Sequence, residues 1–302
     1  MPWLQIKVSI QPDQAETYED LLLAAGCAAV TYQDAADQPI FEPDLGTTPL
    51  WNSTVVTGLF AAEHDLKETL QLLHEAQLHI EATPGAPQPE FKAEILEDKD
   101  WEREWMDSYH PMQFGQRLWV CPSWREVPDP KAVNLMLDPG LAFGTGTHPT
   151  TALCLEWLDA QPLDELQVVD YGCGSGILGI AALLLGARHV QAVDIDPQAL
   201  TATCDNLNRN GLEAARLDAY LPLQAPLLQA DVLVANILAG PLGELAPTLA
   251  ERVRPGGKIL LSGLLSQQAD ELTSVYSRWF DMDPPGEREG WIRLSGIRRQ
   301  ED

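Results

Sequence analysis

The sequence predicts a two-part α/β molecule, with a doubly wound, mostly parallel sheet over residues 113–302 and a small ferredoxin-like α+β unit ahead of it. Two observations carry the prediction. From Val168 onward the apolar runs "QVVDY", "HVQAVDI", "ADVLVANIL" and "GKILLSG" alternate with helical stretches, the pattern of parallel strands buried on both faces and joined by crossover helices. Before residue 97 the periodicities run strand, helix, strand, strand, helix, strand, the β-α-β-β-α-β order of a ferredoxin-like unit. A chain of 302 residues also has room for two domains of about 100–200 residues each.

In order, Leu4, Ile6, Val8 and Ile10 alternate on one strand face, and "AETYEDLLLAAG" follows Asp13 as a helix that Gly26 stops. "AAVTYQD" and "WNSTVVTGLFA" read as two strands, "HDLKETLQLLHEAQ" as a second helix and "FKAEILE" as the closing strand. Between the last two, the prolines and glycine of "ATPGAPQPE" break regular structure. "EDKDWEREWMDSYHP" then puts Trp101, Trp105 and Tyr109 on one helical face, with Pro111 as its stop. This predicts a linker helix over 98–112 between domains 1–97 and 113–302. It is either a hinge whose acids receive a basic substrate or an amphipathic helix packing its aromatics.

Charge narrows the function. With 19 Lys and Arg against 45 Asp and Glu, the net charge of −26 opposes general nucleic-acid binding and favours a basic partner. Five cysteines without a C-x-x-C pair predict free thiols in a reducing compartment and no zinc or other metal site. No apolar run approaches the roughly 18 residues of a membrane span, and "MPWLQIKVSI" has no signal-peptide features. A cytoplasmic protein without membrane contact is expected.

The stretch "VVDYGCGSGILGI" reads two ways. Gly174, Gly176 and Gly179 fit G-x-G-x-x-G of a dinucleotide site, whereas Asp170, Gly172, Gly174 and Gly176 fit D-x-G-x-G-x-G. A dinucleotide brings a pyrophosphate onto the turn, and Asp170 would oppose it. S-adenosyl-L-methionine brings an ammonium and a sulfonium instead, which suits the acid. Asp194 ends the next strand about 20 residues on, where a carboxylate meets ribose hydroxyls; Asp196 is the better placed of the two to cap the helix after "DIDP". Asn236 ends a third strand, where its amide can hold a planar amide or an amine, or cap the helix near Pro241. "DPGLAFGTGTHPTT" lacks G-K-[ST] and is no P-loop. It reads as a wall over the cofactor, running into a helix that opens at Pro149, with His148 as a cap or a packed histidine.

Together "LDPGLAFGTGTHPTT", "DYGCGSGILGI", "DIDP", "ANILAGPL" and "EDKDWEREWM" closely resemble the PrmA family, methyltransferases of large-subunit ribosomal protein 11, over nearly the whole chain. The resemblance implies an N-terminal domain that recognises the ribosomal protein, a flexible linker helix and a C-terminal Rossmann-like catalytic domain. It implies methylation of amines, at lysine side chains and the N-terminal α-amino group. It further implies that Thr151, Gly172, Asp194 and Asn236 contact the cofactor while Asp170, Gly174 and Gly176 shape its pocket. Three rivals stand beside it: an RNA-base methyltransferase of the same fold, opposed by the charge; an NAD-dependent oxidoreductase, opposed by Asp170; and a non-catalytic binding module. A lysine nucleophile must lose a proton before attack. Glu104, Asp107 and His148 are candidate relays, none of which the sequence singles out.

Overall fold

A computed structural model of the chain describes residues 3–36, 40, 47–77, 90–97, 106, 109–138 and 146–300. The chain divides into two compact units, Met1–Met106 and Asp107–Asp302, and the cut falls inside the segment expected to link domains.

In the first unit, β1 (Trp3–Ile10), α1 (Ala15–Ala24), β2 (Ala29–Asp34), β3 (Thr54–Ala61), α2 (Leu66–Gln77) and β4 (Glu90–Leu96) follow the expected order. The strands form one antiparallel sheet in the order β2-β3-β1-β4, the ferredoxin-like arrangement. Leu4, Ile6, Val8 and Ile10 are buried against Tyr18 and Leu22 of α1, Val56 and Phe60 of β3, and Leu73 of α2. The period-2 pattern of β1 thus meets the helical stripes.

The second unit opens with a sheet of β5 (Met112–Phe114), β6 (Leu118–Cys121) and β7 (Val133–Met136). Its main sheet has the order β10-β9-β8-β11-β12-β15-β13, with β14 paired to β15. Here β8 is Gln167–Tyr171, β9 His189–Val193, β10 Leu217–Tyr220, β11 Ala230–Asn236, β12 Val253–Leu265, β13 Phe280–Met282, β14 Gly286–Arg288 and β15 Trp291–Arg298. Strands β10 through β12 are parallel, and β15 returns antiparallel. The helices are α3 (Pro149–Asp159), α4 (Ile177–Leu184), α5 (Pro197–Arg209), α6 (Ala239–Glu244), α7 (Ala246–Glu251) and α8 (Ala269–Tyr276).

The continuous apolar runs are explained by a core on each sheet face. Val168, Val190, Val232, Val234 and Leu260 point into one core, and Val169, Val193, Leu233, Ala235, Ile259 and Leu261 into the other. Successive residues alternate between two cores, so polar residues inside these strands are few, and the buried Gln191 of β9 is held by Pro226 O and Arg252.

Two expectations change. The parallel sheet is wider than the four predicted strands, gaining β10, and is closed by the antiparallel β13 to β15. The predicted linker helix over 98–112 does not reach its expected end: Met112 opens β5, and residues 109–111 are irregular. Tyr109 lies with its ring centroid 6.5 Å from that of Trp124, while Trp101 and Trp105 lie outside the described residues.

Candidate active site

The carboxyl ends of β8, β9 and β11 converge, as a doubly wound sheet requires of its ligand site. Gly172, Gly174 and Gly176 follow β8 with φ of +79°, +54° and +78°, a left-handed run that residues with a Cβ rarely adopt. A Cβ on Gly172 would lie 2.3 Å from Ile237 Cγ2, just past the end of β11.

Five N–H groups of the loop and the helix start are engaged within the protein. The N–H groups of Gly172 and Cys173 donate to Val193 O (2.7 and 3.1 Å), and that of Gly176 donates to Cys173 O (2.8 Å). Gly174 N donates to Asp194 Oδ2 (2.9 Å) and Gly179 N to Asp170 Oδ2 (2.8 Å). A pyrophosphate needs such amides free; here these five are spent inside the protein, two of them on carboxylates.

Asp170, 1% exposed, retains a second oxygen, Oδ1, that has no hydrogen-bond partner. Burial pushes its carboxyl up to about 7, against the Gly179 N–H and with the help of the Asp194 charge. An orphaned carboxylate oxygen beneath this loop fits a cation. The methionine ammonium and the sulfonium of S-adenosyl-L-methionine meet that requirement, and a dinucleotide does not.

Asp194, half-buried, spends Oδ1 on Asp196 N (3.0 Å). Asp196 takes the helix cap, accepting from Gln198 N at 2.8 Å, so Asp194 is held against the glycine loop. Asn236 is no cap either: Nδ2 donates to Oγ1 of the fully buried Thr151 at 3.3 Å, while Leu238 occupies the N-cap of α6. This bond joins α3 to the end of β11. His148 is a cap, its Nδ1 accepting from Thr150 N (3.3 Å) and lying 2.7 Å from Thr150 Oγ1, with the ring edge-on to Trp291 at 4.7 Å. Burial lowers its titration, opposed by Glu289. Cys173 is buried, and burial followed by the Asp170 charge pushes its thiol up, which suits packing and not thiolate chemistry. Residues 139–145 of the Gly-Thr segment, with Glu104 and Asp107, lie outside the described residues.

Two residues at these strand ends escaped the sequence reading. Ile195, next to Asp194, is 84% exposed and offers a flat apolar contact; its signal was an apolar residue between the acids of "DID". Gly263 has φ +92°, and a Cβ there would lie 2.2 Å from Ile237 O. The register of β12 against β15 shifts between Ser262 and Leu264, the bulge that a glycine inside a strand marks.

Comparison with known proteins identifies the family. The family model described as Ribosomal protein L11 methyltransferase (PrmA) matches residues 2–299. The chain belongs to this family. Among family members, the ribosomal protein L11 methyltransferase of Pseudomonas aeruginosa (strain LESB58) is 62% identical over 299 residues, covering 99% of each chain. That of Pseudomonas putida (strain GB-1) is 58% identical over 299 residues, covering 99% of this chain and 100% of its own. A crystal structure of ribosomal protein L11 methylase from Lactobacillus delbrueckii subsp. bulgaricus is 33% identical, with a TM-score of 0.56, over 64% of this chain and all of its own.

Proposed function

We propose that this PrmA-family chain is a cytoplasmic protein N-methyltransferase that carries methyl groups from S-adenosyl-L-methionine to lysine side chains and the N-terminal amine of ribosomal protein L11. The observation that carries the cofactor reading is the glycine loop, where five N–H groups are spent internally above the unpartnered Asp170 Oδ1. Bound there, S-adenosyl-L-methionine supplies an electrophilic methyl group on a sulfonium.

The chain's own residues bind and orient. Gly172, Gly174 and Gly176 keep side chains out of the cradle, and Asp170 and Asp194 give it a negative field. Asp194 serves the ribose hydroxyls with the lone pairs that its two backbone donors leave, and Ile195 gives a purine an apolar face. Thr151 holds Nδ2 of Asn236, which leaves the amide oxygen to accept from an incoming neutral amine. Positioning of this kind accounts for most of the rate in a direct displacement.

Residues 1–97 recognise the protein substrate. The first compact unit carries 5 Lys and Arg against 20 Asp and Glu, and the second 14 against 25. The denser acidity lies in the smaller unit, which suits a basic ribosomal protein and opposes direct nucleic-acid binding. Among the described residues no helix is long and apolar enough to cross a membrane.

The test is methyl transfer from labelled S-adenosyl-L-methionine to unmethylated L11, read by mass spectrometry with ribosomal RNA in the same reaction. Label on L11 amines is expected. Label on RNA alone would overturn the substrate, and no label anywhere would overturn the activity.

A further inference from the structure

Helix α5 has a polar face where a helix packed under a sheet edge ordinarily carries apolar residues. Thr203 is fully buried and Asn206 is 6% exposed. Buried polar groups of this kind are kept where they have a specific partner, and both find theirs in the glycine loop. Thr203 Oγ1 donates to Gly174 O at 3.1 Å and lies 3.4 Å from Cys173 Sγ. Asn206 Nδ2 donates to Ser175 O at 2.8 Å, and its Oδ1 accepts from Arg209.

A glycine-rich loop has little side chain with which to fix its own peptide planes. The planes here are fixed from outside. Gly174 is held at both ends, its N–H by Asp194 and its C=O by Thr203. The peptide between Ser175 and Gly176 is likewise held at both ends, its C=O by Asn206 and its N–H by Cys173 O. Turning either plane would exchange the directions of its C=O and N–H and change the polarity of the cradle. The same helix end is anchored to β7: Asn210 Nδ2 donates to Met136 O (2.9 Å), and Met136 N donates to Asn210 Oδ1 (2.7 Å).

We propose that Thr203 and Asn206 are positioning residues for the methyl donor: they lock the peptide planes on either side of Ser175 and hold the loop in its observed form, given that the site takes S-adenosyl-L-methionine. Neither side chain takes part in the displacement. Their effect falls on cofactor affinity, and the KM for S-adenosyl-L-methionine moves while kcat stays near its wild-type value.

The experiment is calorimetric titration of the full-length protein with S-adenosylhomocysteine, well below the melting temperature, for wild type, Thr203→Val, Thr203→Ser and Asn206→Ala. Thr203→Val keeps the shape and loses the hydroxyl, so affinity is expected to fall on the order of tenfold, as does that of Asn206→Ala, while Thr203→Ser stays within about threefold of wild type. The KM for S-adenosyl-L-methionine should rise in the same proportion. Thr203→Val with wild-type affinity, even with a lowered melting temperature, would reduce the residue to packing and overturn the proposal. So would equal losses in the valine and serine variants. If Asn206→Ala does not fold, the Thr203 pair decides alone. A wild type that binds no S-adenosylhomocysteine would overturn the cofactor reading and this proposal together, whereas a binding wild type beside unaffected variants overturns this proposal only.

Discussion

Asp170 ties the charge of the site to the stability of the fold. Its carboxyl is buried with one oxygen on Gly179 N and the other unpartnered, and it titrates at about 7 instead of 3.8. The folded value is raised, so the protonated form contributes stability below the unfolded value that is lost as pH climbs through the folded one. At about 1.4 kcal/mol per pH unit, the contribution is on the order of 4 kcal/mol. Asp170→Asn keeps an oxygen for Gly179 N–H and cannot ionise. The melting temperature of the ligand-free wild type, measured against this variant, should therefore fall from about pH 4 to about pH 7 and level off above. Affinity for S-adenosylhomocysteine, whose ammonium favours the ionised carboxylate, should rise across the same upper limit in the wild type and stay flat in the variant. Parallel melting curves for the two proteins at every pH would refute this titration.

The glycine loop, as an element, is constrained by its neighbour as well as by its own backbone. Gly172→Ala would set a Cβ 2.3 Å from Ile237 Cγ2 at φ +79°, so clash and backbone strain both apply, the strain alone costing about 1–3 kcal/mol. Loss of S-adenosylhomocysteine binding is expected by calorimetry. Adding Ile237→Ala should recover part of it by removing the clash; no recovery would assign the whole loss to φ. This contact also marks the limit of what the sequence discloses. The strands β8, β9, β11 and β12 were legible because apolar residues dominate each, and Asp194 and Asn236 because they stand just past or at the carboxyl end of such a run. Strand β10 has four residues and β13 three, too few for a periodicity to register. Thr203 and Asn206 were illegible for a different reason. Their partners are backbone carbonyls 29 and 31 residues away, and a main-chain acceptor leaves no mark on sequence. Asp196 as the helix cap was legible, because its partner lies two residues on.

At the scale of the whole molecule, charge is unevenly shared. The first unit is net −15 over 106 residues and the second net −11 over 196, from 5 against 20 and 14 against 25 charged residues. A protein substrate rich in Lys and Arg would meet a long-range field on approach, whereas the methyl-donor site proposed above holds two buried or half-buried carboxylates, Asp170 and Asp194, that act at short range. Salt separates these cases, since mobile ions screen exposed charges beyond about 10 Å at 0.1 M and buried ones much less. Raising salt from about 50 to about 300 mM should lower kcat/KM for L11 by about fivefold or more, through slower association. The KM for S-adenosyl-L-methionine should change by less than about twofold over that range. Steady-state kinetics with each substrate varied in turn reads both numbers from the full-length enzyme. A salt-independent kcat/KM for L11 would mean that the acidity of the first unit serves solubility and not recognition.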